Sequence, residues 1–202
     1  MSKPLKEFVL QVLAERSRGW KILQALQFGT AAVVADADSG WWRRKSTRRH
    51  ISWENAVNKL IELAADDSDC VIIRHHDTVS FIFEDTVLVR LKKADMALRT
   101  SNYPTDLAQL FHEHRKDLFG FNGHQRVEAV YIPNRFDTGI VWAGIVAREK
   151  RVHLWHFELT EPVVVPVTTL PAPITPPAAT LVRLKNQTKD NKKNEKNNDG
   201  EE

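Results

Sequence analysis

The sequence is short of cysteine, and this limits the chemistry available to it. Cys70 is the single cysteine among 202 residues, which excludes a disulfide within the chain and a zinc site built on paired cysteines. Cys70 lies in an apolar run, and this position predicts a packed thiol rather than a nucleophile. The composition fits a reducing compartment.

Long apolar runs are missing as well. No stretch approaches the roughly 18 apolar residues that are needed to span a bilayer. The amino-terminal segment is amphipathic, unlike the uninterrupted apolar core of a signal peptide. We therefore expect a soluble, cytoplasmic protein that has no membrane partner.

Common signatures of cofactor and catalytic sites are also absent. There is no Gly-rich phosphate loop ending in Lys-Ser or Lys-Thr, no Gly-x-Gly-x-x-Gly and no Gly-x-Ser-x-Gly. His112 and His114 are two positions apart on a predicted helix, so they point about 200° away from each other. We expect both histidines on a solvated surface, and we predict neither a cofactor nor a metal.

A large excess of charge is lacking too, since the formal net charge is only +3. The composition changes near residue 161, where prolines become frequent, and again near residue 183, where polar residues dominate. These changes predict a single α+β domain over 1–160, a Pro-rich linker over 161–182 and a disordered polar tail over 183–202. Because the tail carries nearly balanced charge, binding of nucleic acid would require cations clustered within the domain.

The hydrophobic pattern predicts helices first and a sheet afterwards. Apolar spacing of three and four predicts helix over 5–26, with a break at Gly19, and Ser52 is a candidate N-cap of another helix. Alternating strands flank Glu84-Asp85, which predicts a hairpin turn there. The order of elements predicts an α+β fold with N-terminal helices and an antiparallel sheet of five to six strands, with the helices on one face.

The main functional candidate is a basic stretch bordered by tryptophan. Several cations close together favour phosphate binding through counterion release, and tryptophan stacks on unpaired bases. A second basic group follows the predicted hairpin. If the two groups share one face, they would bind nucleic acid or an acidic protein partner. The candidate residues are Trp42, Arg43, Arg44, Lys45, Arg48, Arg49, Lys92, Lys93 and Arg99.

Two other functions stay open. His75, His76 and Asp77 lie between two predicted strands, where a histidine and a carboxylate form a base and its orienting group. This arrangement is compatible with a metal-independent nuclease of the RNase type. The third possibility is an assembly subunit whose aromatic surfaces are covered by partners. Because no complete catalytic set is apparent, we favour a non-enzymatic binding or regulatory protein.

Overall fold

The computed structural model describes residues 3–75, 78–100, 106–114, 123–150 and 152–161. Residues 1–163 belong to one compact structural unit. The predicted linker beyond residue 161 and the predicted tail lie outside the described residues.

Three long helices precede the sheet: α1 (Lys6–Ala14), α2 (Arg18–Ala35) and α3 (Lys45–Leu63). The break between α1 and α2 does not fall at Gly19, which continues the second helix. It falls at Arg16 and Ser17, whose φ angles of 49° and 54° are left-handed and end the helical path. Apolar spacing indicated that the segment bends but did not identify the residues that bend.

Helix α3 begins well before the predicted cap. Ser52 lies in its interior and is buried against α2, so the prediction that Ser52 caps a helix is wrong. The two helices approach closely because α2 presents Gly29 to this part of α3. The basic stretch from Lys45 to His50 therefore forms the first turns of a packed helix and is not a loop.

Six strands form one sheet, in the order in which they occur in the chain. Glu84 and Asp85 form the turn of the predicted hairpin, and their φ angles of 53° and 51° are those of a tight hairpin turn. The α+β fold is confirmed. The strands are β1 (Cys70–His75), β2 (Thr78–Phe83), β3 (Val87–Lys93), β4 (Gln125–Pro133), β5 (Ile140–Glu149) and β6 (Val152–Glu158).

The sheet is mixed, which corrects the expectation that it is antiparallel. Strands β3 and β4 are parallel, whereas the other neighbours are antiparallel. A parallel pair needs a long crossover connection, and here the chain from 94 to 124 includes the short helix α4 (Asp106–Phe111). Phe111 packs with Ile82 and Leu88, so helices lie on both faces of the sheet. The expectation of one covered face is wrong because the second face also carries apolar side chains that need cover.

Alternation along β3 distinguishes the two faces of the sheet. Val87, Val89 and Leu91 belong to the main core, which the sheet shares with α1, α2 and α3, and we call this side the helix face. Arg90 and Lys92 alternate with them and belong to the second face. Among the described residues, none of the helices has the length and apolar character needed to cross a bilayer.

Candidate functional site

Strands β2 and β3 separate at the end farthest from their turn. Within the described range 78–93, the pairs between these strands run from Phe83 with Val87 to Phe81 with Val89. The start of β2 keeps its pairing with β1, which extends along the whole of β2 and places Thr78 opposite His75. A gap therefore opens between the start of β2 and the end of β3.

Trp53 of α3 lies beside this gap. Its indole Nε1 donates a hydrogen bond of 3.1 Å to the carbonyl oxygen of Leu91, beyond the last pair between β2 and β3. In a continuous sheet, a neighbouring strand would donate a hydrogen bond to this carbonyl oxygen. Here the side chain of Trp53 donates it instead. The result is a cleft of about 370 Å³ between α3, β2 and β3. It is lined by Ser46, Arg49, His50, Trp53, Thr78, Val79, Arg90, Leu91, Lys92, Lys93 and Tyr131.

Positive charge is concentrated at this cleft. Burial lowers the pKa of Lys93 from its usual value, and the nearby charges of Arg49 and Lys45 lower it further, while Asp137 opposes the change. Burial also lowers the pKa of Lys92. Cations from α3 and β3, distant in the chain, therefore lie close enough to repel one another.

Two carboxylates reduce this charge but do not cancel it: Glu128 opposes the lowering of the Lys92 pKa, and Asp137 pairs with Arg49. Arg49 Nη2 lies 3.4 Å from Oδ2 of Asp137. This long ion pair is near the start of α3. Lys45, Lys92 and Lys93 are left around the same cleft. A region that holds several cations and few acids favours anions, and low-dielectric walls strengthen that preference.

Aromatic rings line the same cleft. The rings of His50 and Trp53 stack with centroids 6.2 Å apart and planes 22° from parallel. His50 is exposed, and Nε2 of His50 lies 3.6 Å from Oε1 of Glu54 one helical turn away. A half-buried indole beside an exposed imidazole offers a flat surface next to the cations.

The structure brings together some of the predicted site residues and separates others. Arg49, Lys92 and Lys93 line the cleft, and Lys45 lies close enough to influence Lys93. The other three candidates near the start of α3 do not line the cleft: Arg43 and Arg44 precede the helix and are exposed, whereas Trp42 is half-buried.

Arg48 and Arg99 have other roles. Arg48 Nη2 donates to the carbonyl oxygen of Ser39 at 3.1 Å, which ties α3 to the segment before it. Arg99 forms a 2.8 Å ion pair with Asp95 within its own loop. The expectation that these two arginines share one basic face with the others has no support in these contacts.

The cleft lining also includes Arg90 and Tyr131, which are not among the predicted site residues. Arg90 shares the second face of β3 with Leu88 and Lys92, and its alternation with Val89 and Leu91 was the available signal. Tyr131 lies opposite Lys93 in the register of β3 and β4. That parallel pairing joins segments far apart in the chain, so no local pattern indicates it.

The histidine candidates are in different environments. His75 ends β1 and is half-buried beside the cleft strand β2, whereas His76 and Asp77 lie outside the described residues. The expectation that His112 and His114 are solvated is wrong. His114 is buried, and Nε2 of His114 is 2.6 Å from the carbonyl oxygen of Arg148, because residues 112–114 lie against the end of β5.

No metal-binding group was found within the described ranges, where no cluster of three or more histidine, cysteine or acidic side chains has a suitable geometry. Burial raises the pKa of Cys70 to about 11, in agreement with a packed thiol. The chemistry that the cations and rings of the cleft do offer is recognition of an anion.

A second cleft of about 380 Å³ lies between α2 and β5. Its lining has one charged side chain, Glu158, and is otherwise neutral. It has the volume of a ligand site but not the convergent polar groups that give specificity. We therefore regard the basic cleft as the stronger candidate.

Comparison with known proteins adds no relative: no family model matches the chain, and neither a curated protein nor a solved structure is significantly similar to it.

Proposed function

We propose that this protein is a non-enzymatic binding module that holds single-stranded nucleic acid in the cleft between α3, β2 and β3. The observation that carries the proposal is the crowding of Lys93 with Lys45 and Arg49 beside the stacked rings of His50 and Trp53. Each feature alone is common on protein surfaces. Together they match the two chemical parts of a nucleotide, its phosphate and its base.

The cations supply affinity. Placing like charges together is unfavourable in the free protein, and a bound phosphate chain relieves that repulsion. Binding also releases counterions condensed on the nucleic acid, so affinity falls as the salt concentration rises. This electrostatic effect does not depend on sequence, which suits a cleft that presents charge from lysine and arginine side chains.

The aromatic pair favours nucleic acid over an acidic protein. Bases stack on aromatic rings, whereas carboxylate side chains gain little from them. A single strand is favoured over a duplex because its bases are free to turn towards a protein ring. Trp53 is fixed in position by its hydrogen bond to Leu91, so the ring would be available without prior rearrangement.

Fluorescence anisotropy with a labelled single-stranded oligonucleotide tests the proposal. We expect the Arg49→Gln/Lys93→Gln variant to bind at least tenfold more weakly than the parent. The slope of log K against log salt should become shallower by about 0.7 for each phosphate that the variant no longer neutralises. Arg99→Gln is the matched control, because that arginine pairs with Asp95 away from the cleft lining. A parent that does not bind, or a double variant that binds like the parent, rejects the proposal.

Trp53→Leu separates the two classes of partner. With nucleic acid as the ligand, loss of stacking should weaken binding by about 1–3 kcal/mol. If the same variant has no effect and polyglutamate displaces the oligonucleotide efficiently, an acidic protein partner is the better explanation. Recovery of intact RNA after incubation with the parent is expected, whereas cleavage in the presence of a chelator would favour the RNase-type alternative at His75.

A further inference from the structure

The second face of the sheet buries two arginines around one carboxylate. Arg90 and Arg148 are 4% and 9% exposed, and Glu128, which lies between them, is 1% exposed. Buried charges are normally paired because desolvation opposes the charged form. Among the described contacts, Glu128 is the carboxylate that lies against these two guanidinium groups, so positive charge is in excess among the three side chains.

Glu128 is already engaged by several neighbours. Arg148 Nε donates to its Oε2 at 3.1 Å, and the hydroxyl of Thr100 lies 3.2 Å from the same oxygen. His112 Nε2 lies 3.4 Å from the other oxygen, Oε1. This carboxylate can offset the charge of one arginine but not of both.

Neutral groups hold Arg90 in place. Its Nε donates to the hydroxyl of Ser80 at 3.0 Å, and its guanidinium carbon lies 4.2 Å from the centre of the Phe111 ring. Burial lowers the pKa of Arg90 to about 10, and the charge of Arg126 lowers it further, while Glu128 opposes the change. These contacts orient the guanidinium group of Arg90 without neutralising it.

One guanidinium nitrogen of each arginine is available to a ligand. Nη2 of Arg90 and Nη2 of Arg148 are buried, and neither has a hydrogen-bond partner among the groups that the structure describes. The two arginines flank the same residue, since Arg90 lies opposite Glu128 in the strand register and Arg148 is bonded to it. Donors fixed in this way are preorganised for an acceptor that carries negative charge.

We propose that Arg90 and Arg148 bind a phosphate group on the second face of the sheet, beside Glu128. Phosphate offers several strong acceptor oxygens and a charge that offsets the buried excess, and guanidinium groups match its geometry. The ligand is free phosphate or a small phosphate monoester. Arg90 also lines the basic cleft, so the proposed site lies next to that cleft and shares one residue with it. Arg148 and Glu128 do not line the cleft, so the phosphate contact goes beyond the nucleic-acid contact proposed above.

Thermal unfolding and ³¹P line broadening of the parent with inorganic phosphate test the inference, against sodium chloride of equal ionic strength. At a phosphate concentration about a hundred times Kd, the Tm should rise by about 5–10 °C above the chloride control. A second series with glycerol 3-phosphate distinguishes the sources. An equal or greater rise in Tm indicates a monoester ligand, and a rise with inorganic phosphate alone indicates the free ion.

Arg90→Gln and Arg148→Gln should each raise the phosphate Kd at least tenfold, whereas Arg99→Gln should leave it unchanged. If a glutamine variant does not fold, Arg90→Lys and Arg148→Lys retain the charge but lose the forked donor, and they should also weaken binding. Identical Tm values in phosphate and chloride for the parent would mean that water satisfies these nitrogens, and the inference would be wrong. Unchanged phosphate affinity in the folded variants of both arginines would contradict it equally.

Discussion

Arg18 Nε donates a 2.7 Å hydrogen bond to Oδ2 of Asp67, and both side chains are only 1% exposed. Arg18 Nη1 also contacts Glu84 at the hairpin turn and donates to the carbonyl oxygen of Val12 at 3.0 Å. One guanidinium therefore joins both amino-terminal helices to the segment after α3 and to the β2–β3 hairpin. The position of this hairpin defines one wall of the basic cleft, so the buried pair supports the candidate site from a distance.

Replacing Arg18 should destabilise the fold strongly. In Arg18→Met the carboxylate of Asp67 stays buried without its main partner, and we expect a loss of about 3–5 kcal/mol in the free energy of unfolding. Arg16→Met is a matched control, because Arg16 Nη1 contacts the same carboxylate at 3.0 Å but its side chain is 45% exposed. That variant should lose at most about 1 kcal/mol. Urea unfolding measures both losses, and equal values would show that burial does not decide the strength of these pairs.

Acid should weaken the same contact. The hydrogen bond from Arg18 holds the pKa of Asp67 below its usual value. A carboxylate whose pKa is lowered by folding contributes stability above its unfolded pKa, and that contribution is lost as the pH falls through the folded pKa. The free energy of unfolding should therefore decrease as the pH falls below about 4. It should decrease less steeply in Asp67→Asn, as urea titrations between about pH 6 and about pH 2 would show, and parallel curves would contradict this assignment.

Gly29 should be needed for the contact between α2 and α3. A Cβ atom added there would collide with the carbonyl oxygen of Ser52 and lie 2.8 Å from Cβ of Ala56. Backbone cannot move aside cheaply, so overpacking should outweigh the gain in helix propensity and Gly29→Ala should lose about 1–3 kcal/mol.

Gly40→Ala is the control for that substitution. An added Cβ atom at Gly40 has no neighbour within 4 Å, so the change in stability should stay within about 0.5 kcal/mol. Thermal unfolding compares the two variants. Equal Tm values for the two variants would show that α2 and α3 can move apart without loss of stability. Their close approach would then not be required.

Local chemistry was enough to predict much of the architecture. Alternating apolar residues around Glu84 and Asp85 predicted the hairpin because side chains alternate between faces in every strand. The helices were predicted from apolar spacing, but their ends were not. The end of α1 depends on left-handed residues that no composition rule marks. Helix α3 begins at Lys45 after Arg44, whose side chain makes no capping hydrogen bond, so no cap residue marks its start.

The candidate site could be predicted only in part. The basic stretch was visible as a cluster in the sequence. Arg49 lines the cleft, and Lys45 lies near Lys93 at its edge. Arg48 and Arg99 carry the same charge, but they are held by Ser39 and Asp95. Which of two similar cations faces a cleft depends on helix phase and on the nearest acceptor, and neither is encoded by residue type.

The sequence by itself determined the α+β class, the hairpin and the presence of a cation cluster, because these follow from side-chain periodicity and composition over short windows. The tertiary structure alone decided the parallel pairing of β3 with β4, the gap beside Leu91 and the meeting of Arg90 and Arg148 at Glu128. Those features join segments that are far apart in the chain. Their energies arise from burial and from contacts that exist only after the segments meet.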